Sequence, residues 1–376
     1  MAKKAYIGVG EAARKVKKIY IGVDGIARKV KKAYIGVGGV ARPCFSSGLE
    51  YWGTATDLSV ARSSLAAANV GDYALFGGGY ILNSETYDAV DAYDTSLTRR
   101  TAPELSVARW NLSATNVGNY ALFGGGQGSG GARYATVDVY DTSLTRTGAA
   151  DLSTARADIS ATNVGSYALF GGGAVGAGSS GSLSTVDVYD TSLTHTVATD
   201  MSLGRYNLSA TSTGGYALFG GGMSNTRLSK VDVYDAKLTH TVADDLSVAR
   251  SGLAAATVGD YALFGGGIGD SASYYAKVDV YDAKLTHTVA DDLSAARWNL
   301  GATSVEKYAL FGGGTTGTRL SKVDVYDAKL THTVAADLSV ARTCRRGAAT
   351  VGEYILFGGG QSASGYLSAV DVYESN

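Results

Sequence analysis

Several side chains capable of chemistry recur at fixed places along this chain. The four histidines, His195, His240, His287 and His332, each sit inside Leu-Thr-His-Thr-Val. An aspartate recurs in Val-Asp-Val-Tyr, ending at Tyr140, Tyr189, Tyr234, Tyr281, Tyr326 and Tyr373, with Val-Asp-Ala-Tyr at Tyr93. An arginine closes Leu-Ser-x-x-Arg or Met-Ser-x-x-Arg at Arg62, Arg109, Arg156, Arg205, Arg250, Arg297 and Arg342, 45 to 49 residues apart. Imidazole, carboxylate and guanidinium together could serve acid–base or metal chemistry. A group that every unit carries is instead expected to be scaffold. The carboxylates and guanidinium groups should pair within or between units, because buried charges need partners. The sequence holds no P-loop, no HExxH and no His/Cys cluster with metal-ligand spacing. No catalytic residue, metal or cofactor is therefore expected.

The elements that carry these residues are short. A third signature, Tyr-Ala-Leu-Phe-Gly-Gly-Gly, ends at Gly79, Gly126, Gly173, Gly222, Gly267 and Gly314, with Tyr-Ile-Leu-Phe-Gly-Gly-Gly at Gly360. One unit, residues 105–151, is predicted to hold four strands: Trp110 to Val117, Tyr120 to Phe123, Val137 to Tyr140 and Leu144 to Ala149. Seven four-stranded units of this length indicate an all-β, seven-bladed β-propeller. The seventh unit stops at Asn376 without a fourth strand, and Glu50 to Ser59 align with the fourth-strand segment Leu238 to Ser247. The N-terminal strand is thus expected to complete the last blade and close the ring. The four histidines then lie around its perimeter and cannot converge on one ion. Cys44 and Cys344 fall at opposite ends of a blade, too far apart for a disulfide.

The recurring hydrophobic strand closing on Gly-Gly, the variable loop, Val-Asp-Val-Tyr-Asp and Leu-Ser-Val-Ala-Arg resemble kelch repeats over residues 49–376. The match departs from that family at Thr147, Thr196, Thr241, Thr288 and Thr333, where kelch repeats usually carry Trp. Copper-radical oxidases share this fold class, but their axial set of Cys, Tyr and His ligands has no counterpart here.

A different repeat fills residues 1–43, with 44–48 as a linker. Lys-Lys-Ala-Tyr-Ile-Gly-Val at 3–9 recurs at 31–37 and, as Lys-Lys-Ile-Tyr-Ile-Gly-Val, at 17–23, with a 14-residue period. Asp24-Gly25 and Gly38-Gly39 between Ile/Val-rich runs signal hairpins, so a small β-hairpin module, a four-strand meander, is expected. Its 11 Lys/Arg against Glu11 and Asp24 give residues 1–42 a charge of +9, leaving 22 basic and 32 acidic residues, −10, to the rest. The module resembles the Tyr-Ile-Gly-Val-x-Gly-x-Ala-Arg repeats at the start of tail-associated structural proteins of phages and prophages of Gram-positive bacteria. The resemblance implies a role in attachment to a particle or in homo-oligomerisation; the residues alone read equally as a basic, solvated β-tail, and without an aromatic groove, nucleic-acid binding is not expected. No apolar stretch has the length of a secretory signal or a membrane span. Expectation therefore places the protein in a phage particle, or in the bacterial cytoplasm before release.

Between the seven units the framework is almost copied, while two stretches drift. One follows the Gly triplet; the other follows the Arg, as Ser63-Ser64, Trp110-Asn111, Ala157-Asp158, Tyr206-Asn207, Ser251-Gly252, Trp298-Asn299 and Thr343-Cys344-Arg345-Arg346. Strand direction sends both to one face. The expected ligand-binding residues are Trp110, Asn111, Tyr206, Asn207, Trp298, Asn299, Tyr80, Tyr134, Tyr274, Tyr275, Arg345 and Tyr366, a mixture of flat apolar rings and hydrogen-bonding groups that suits a sugar or a protein anchor. Three readings follow in order: an adhesin or receptor-binding protein for a surface glycan or protein, a cytoplasmic interaction scaffold, and a sugar-modifying enzyme.

Overall fold

The structure, a computed structural model, describes residues 48–81, 85–176 and 181–375, and as backbone strands six short segments between Tyr6 and Ser46. Seven four-stranded antiparallel sheets form the ring of a β-propeller. Blade 2 shows the pattern. Ser113–Val117 lies innermost, Tyr120–Gly124 and Val137–Asp141 follow, and Arg146–Gly148 is the outer edge. In blade 7 the outer strand is Leu49–Thr54, antiparallel to Val370–Ser375, so the chain closes the ring with its own early strand. Leu49 pairs with Ser375 at the end of the blade away from the Gly triplet. Among the described residues there is no α-helix, and no helix is long and apolar enough to cross a membrane.

Two strands start later than expected, both because a residue turns into the left-handed region. The inner strand begins at Ser113 rather than Trp110, since Asn111 has φ 52°. The outer strand begins at Arg146 rather than Leu144, since Leu144 has φ 61°. The cost of that left-handed leucine is met locally. The Asp141 carboxylate accepts the Ser143 and Thr145 amides, and Leu144 packs on the core between blades 1 and 2.

Each blade is fastened by one buried arginine. Arg109, fully buried, donates Nη2 to Asp138 Oδ2 at 2.8 Å and to the Phe123 carbonyl at 3.1 Å, both in its own blade. Its backbone meanwhile belongs to the blade before, where the Gly79 amide donates to the Arg109 carbonyl and the Arg109 amide to Tyr87. The same pair recurs seven times, from Arg62–Asp91 to Arg342–Asp371, at 2.5 to 2.8 Å. A serine at the Leu-Ser step, Ser106 in blade 2, gives its amide and hydroxyl to the same carboxylate.

The second carboxylate oxygen is taken by the outer strand. His195, His240, His287 and His332 each place Nε2 2.7 Å from the aspartate Oδ1 of their own blade. Arg99 and Arg146 do this in blades 1 and 2, and the Tyr51 hydroxyl does it in blade 7, at 2.6 Å from Asp371. The histidines are thus structural partners spread over four blades, as their spacing implied. Burial alone would raise Asp187, Asp232, Asp279 and Asp324; the guanidinium charge, the serine amide and the histidine outweigh it and hold these carboxyls below the usual carboxylate range.

Neighbouring blades also meet through the first glycine of the triplet. A Cβ on Gly220 would lie 2.7 Å from the Phe264 ring of the next blade, and Gly358 faces Phe76 in the same way, closing the circle. The second glycine has φ 64° to 72°, with the arginine carbonyl of the next blade 2.5 to 2.7 Å from where a Cβ would stand. Neither position admits a side chain.

In the N-terminal segment the described strands pair as three separate two-stranded sheets, Tyr6–Val9 with Ala12–Lys15, Tyr20–Val23 with Ile26–Lys29, and Lys32–Val37 with Val40–Ser46. The expected single four-strand meander is therefore replaced by three hairpins, and the last strand runs into the stretch expected as linker. The hairpin turns and the Cys44 side chain lie outside the described residues.

Asp232→Asn is expected to lower unfolding free energy by about 3–5 kcal/mol at neutral pH, because it strands the Arg205 charge. A depressed carboxyl contributes its stability above the unfolded value of about 3.9 and loses it as pH falls through the folded one. Urea denaturation across pH should therefore show the gap between wild type and Asp232→Asn narrowing below about pH 4; a constant gap would contradict the pairing. Gly220→Ala should cost about 1–3 kcal/mol by overpacking against Phe264. Gly148→Ala, with no atom nearer than 4.0 Å, should stay within about 0.5 kcal/mol in the same measurement.

Candidate functional site

The two drifting stretches are joined to each other. The residue after the arginine bridges to the residue after the Gly triplet in every blade: Ser63 with Tyr80, Trp110 with Gln127, Ala157 with Ala174, Tyr206 with Met223, Ser251 with Ile268, Trp298 with Thr315 and Thr343 with Gln361. Sequence variation is thereby gathered on one face, the end of the blades where the 2–3 loops and the inter-blade links emerge.

The next residue in each link turns left-handed: Ser64, Asn111, Asp158, Asn207, Gly252 and Asn299 have φ between 52° and 61°. Ser, Asn, Asp and Gly are the types that tolerate this conformation best among those available for a link. The turn points successive amides at preceding carbonyls. Asn111 donates to Ser64, Asp158 to Asn111, Asn207 to Asp158, Gly252 to Asn207, Asn299 to Gly252 and Cys344 to Asn299, at 2.9 to 3.2 Å. This chain of hydrogen bonds circles the axis from blade 1 to blade 7.

Blade 7 departs from the pattern. Five positions separate Arg342 from Gly347, which meets Gly358, whereas four separate Arg297 from its equivalent Gly301. Cys344 takes the packing place of Leu300 and its counterparts, fully buried with its thiol pushed up by burial, and the extra residue frees Arg345 and Arg346 to reach over the axis. Arg345 Nη2 lies 3.1 Å from Asp158 Oδ1 and also donates to Asn207 Oδ1, while Nη1 reaches Asn111 Oδ1 at 3.4 Å. Arg346 Nη1 donates to the Asn111 and Leu112 carbonyls, and Nη2 to the Ile159 carbonyl. Burial and the neighbouring Arg345 charge push the Arg346 guanidinium down to about 9, against the opposing pull of Asp158. It still carries its proton at neutral pH.

Aromatic residues gather where blades 7, 1 and 2 meet. Tyr80 stacks on Trp110 with ring centroids 4.3 Å apart and meets Tyr366 edge-on at 5.5 Å, all three partly exposed. Trp298, also partly exposed, stands over Gly252, where a Cβ would lie 2.9 Å from the ring. Asn299 contributes its backbone to the ring of hydrogen bonds.

Four other expected residues take different places. Tyr206 is buried. Tyr134 and Tyr275 occupy the position of Leu183, Leu228, Leu320 and Leu367, their amides bonded to the third glycine and their rings packed over Gly128 and Gly269; they support the loops. Tyr274 bridges to Ile268 beside Tyr275. Asp158 and Arg346 were absent from the expected site residues although they complete the axial cluster. The available signal was the single extra residue in the seventh link. Among the described residues no group of His, Cys, Asp and Glu could hold a metal ion.

The ring of seven four-stranded blades defines the fold class as a seven-bladed β-propeller. The solved structure of YjhT, a propeller, superposes with a TM-score of 0.61 at 14% identity, over 75% of this chain and 99% of that one. No protein-family description and no curated protein matches the sequence.

The axial salt bridge yields a double-mutant test. Asp158→Asn and Arg345→Gln are each expected to destabilise the ring, and the double variant less than additively, with a coupling energy of about 0.5–3 kcal/mol in chemical denaturation. Strict additivity would mean that the two side chains do not act together.

Proposed function

We propose that this protein is a non-enzymatic binding protein that recognises a cell-surface glycan or protein through the loop face of its propeller. The observation that carries this reading is the division of the chain: seven nearly identical frameworks end on one face in links and loops that vary around the ring. On that face the Tyr366–Tyr80–Trp110 cluster offers partly exposed aromatic surface. The axial amides Asn111 and Asn207 and the two arginines stand nearby as polar partners. Aromatic surface ringed by convergent polar groups is the composition of carbohydrate and protein recognition sites.

In the same proposal the basic N-terminal repeats attach the protein to a phage or prophage particle, on the strength of their Tyr-Ile-Gly-Val-x-Gly-x-Ala-Arg resemblance. Leu49 enters the propeller at the end of blade 7 away from the Gly triplet, which leaves the loop face clear for a ligand. A kelch-type interaction scaffold would use the same face; association with a purified particle separates the two.

The binding face is tested with the full chain on a glycan array and on intact Gram-positive cells. Trp110→Ala and Trp298→Ala should each weaken binding tenfold or more while leaving the unfolding midpoint within a few degrees of wild type. Absence of any bound glycan or cell, or binding unchanged by both substitutions, would overturn the assignment.

A further inference from the structure

We propose that the axial mouth of the propeller is a binding site for a small oxyanion, a carboxylate, phosphate or sulfate group, held between Arg345 and Arg346. The inference goes beyond the aromatic cluster and assigns a ligand to the axial arginines beside it.

Charge is the first argument. Two guanidinium groups meet at the axis and only one carboxylate, Asp158, touches them; their remaining partners are neutral amide and carbonyl oxygens. Arg345 and Asp158 are 19% and 16% exposed, so the pair is shielded from solvent yet reachable from the loop face. A net positive charge in such a half-buried setting is compensated by water only in part, which favours an anion that can enter.

Space and hydrogen-bonding capacity are the second. Both arginines line an axial cavity of about 140 Å³, comparable to cavities that admit a benzene-sized molecule. Ser113, Ser160 and Ser209, on the inner strands of blades 2, 3 and 4, line that cavity. Elsewhere the lining is small, with Ala114, Ala161 and Ala210 next in sequence to these serines. An entering carboxylate or phosphate would replace the neutral amide and carbonyl acceptors that the two guanidinium groups now hold, exchanging them for stronger charge-assisted bonds.

The length of its link explains why the site sits at this end of blade 7. The link there is one residue longer than the others, and it carries both arginines. As a structural plug, one arginine hydrogen-bonded to carbonyls would serve. Here Arg345 is paired with Asp158, and Arg346, bonded only to carbonyl oxygens, carries a charge the protein does not neutralise.

Isothermal titration of the full chain with inorganic phosphate, sulfate and acetate, at constant ionic strength made up with chloride, tests the proposal. The expected result is a saturable one-to-one heat with a dissociation constant in the millimolar range or tighter for at least one oxyanion. Arg346→Gln and Arg345→Gln should each weaken it tenfold or more. Arg227→Gln, which removes a cation paired with Asp270 in the loops of blades 4 and 5, should leave it unchanged. Should the axial variants not fold, Asp158→Asn supplies the test in the opposite direction, since removing the lone carboxylate should tighten binding at least threefold. A parallel titration with methyl glucuronoside and methyl glucoside separates a free ion from the acid group of a sugar: binding of the first alone marks an acidic glycan. No saturable heat with any oxyanion, or heats that Arg346→Gln and Asp158→Asn leave unaltered, would overturn the site.

Discussion

A buried ion pair repeated seven times is the constraint on which this structure depends. An arginine and an aspartate removed from water cost several kcal/mol each unless every donor and acceptor finds a partner. The propeller meets that demand with one arrangement: the guanidinium on one carboxylate oxygen, a histidine, arginine or tyrosine of the outer strand on the other, and a serine amide and hydroxyl between. Because the arginine side chain binds its own blade while its backbone binds the preceding one, the pair ties blade to blade. Neither the arginine nor the aspartate can change alone without stranding a charge. That is a physical reason for the frameworks to be near copies: each must present the same groups to an identical neighbour.

The same constraint made most of the fold legible in the sequence. Strict recurrence of Arg, Asp and Gly-Gly-Gly at 45 to 49 residues marked the blades, and the missing fourth strand of the last unit matched the surplus strand at Glu50. Such features are local, and local patterns survive in a linear reading. Less legible were the strand limits at Asn111 and Leu144, where hydrogen-bonded links and packed turns override the β propensity of the flanking residues. The segment from Tyr6 to Ser46 has a period that announces hairpins, but periodicity alone does not say whether successive hairpins share a sheet. They do not.

The candidate site was legible in outline and hidden in detail. That two drifting stretches share a face follows from strand direction, and the bridges from Ser63–Tyr80 to Thr343–Gln361 realise it. The convergence of Arg345 with Asp158, 187 residues away in sequence, has no local signature, since it depends on ring curvature bringing blade 7 across the axis from blade 3. Packing also divided similar residues by role. Tyr80 and Trp110 lie against one another, whereas Tyr134 and Tyr275, partly exposed to the same degree, take the leucine position and pack on Gly128 and Gly269. Framework and face are in this way separate: one is held invariant by buried charge, the other is free to vary because exposed links and loops tolerate it.

Native-state hydrogen exchange of the full chain, wild type against Asp232→Asn, measures most directly whether the ion pair joins blades rather than merely filling one. Arg205 reaches Asp232 in blade 4, and its carbonyl accepts the Gly173 amide of blade 3. Loss of protection at Gly173 and in the strands of blade 4 together, with blades 6 and 7 retaining theirs, is the predicted result. Loss confined to blade 4, with Gly173 as protected as in wild type, would contradict the account.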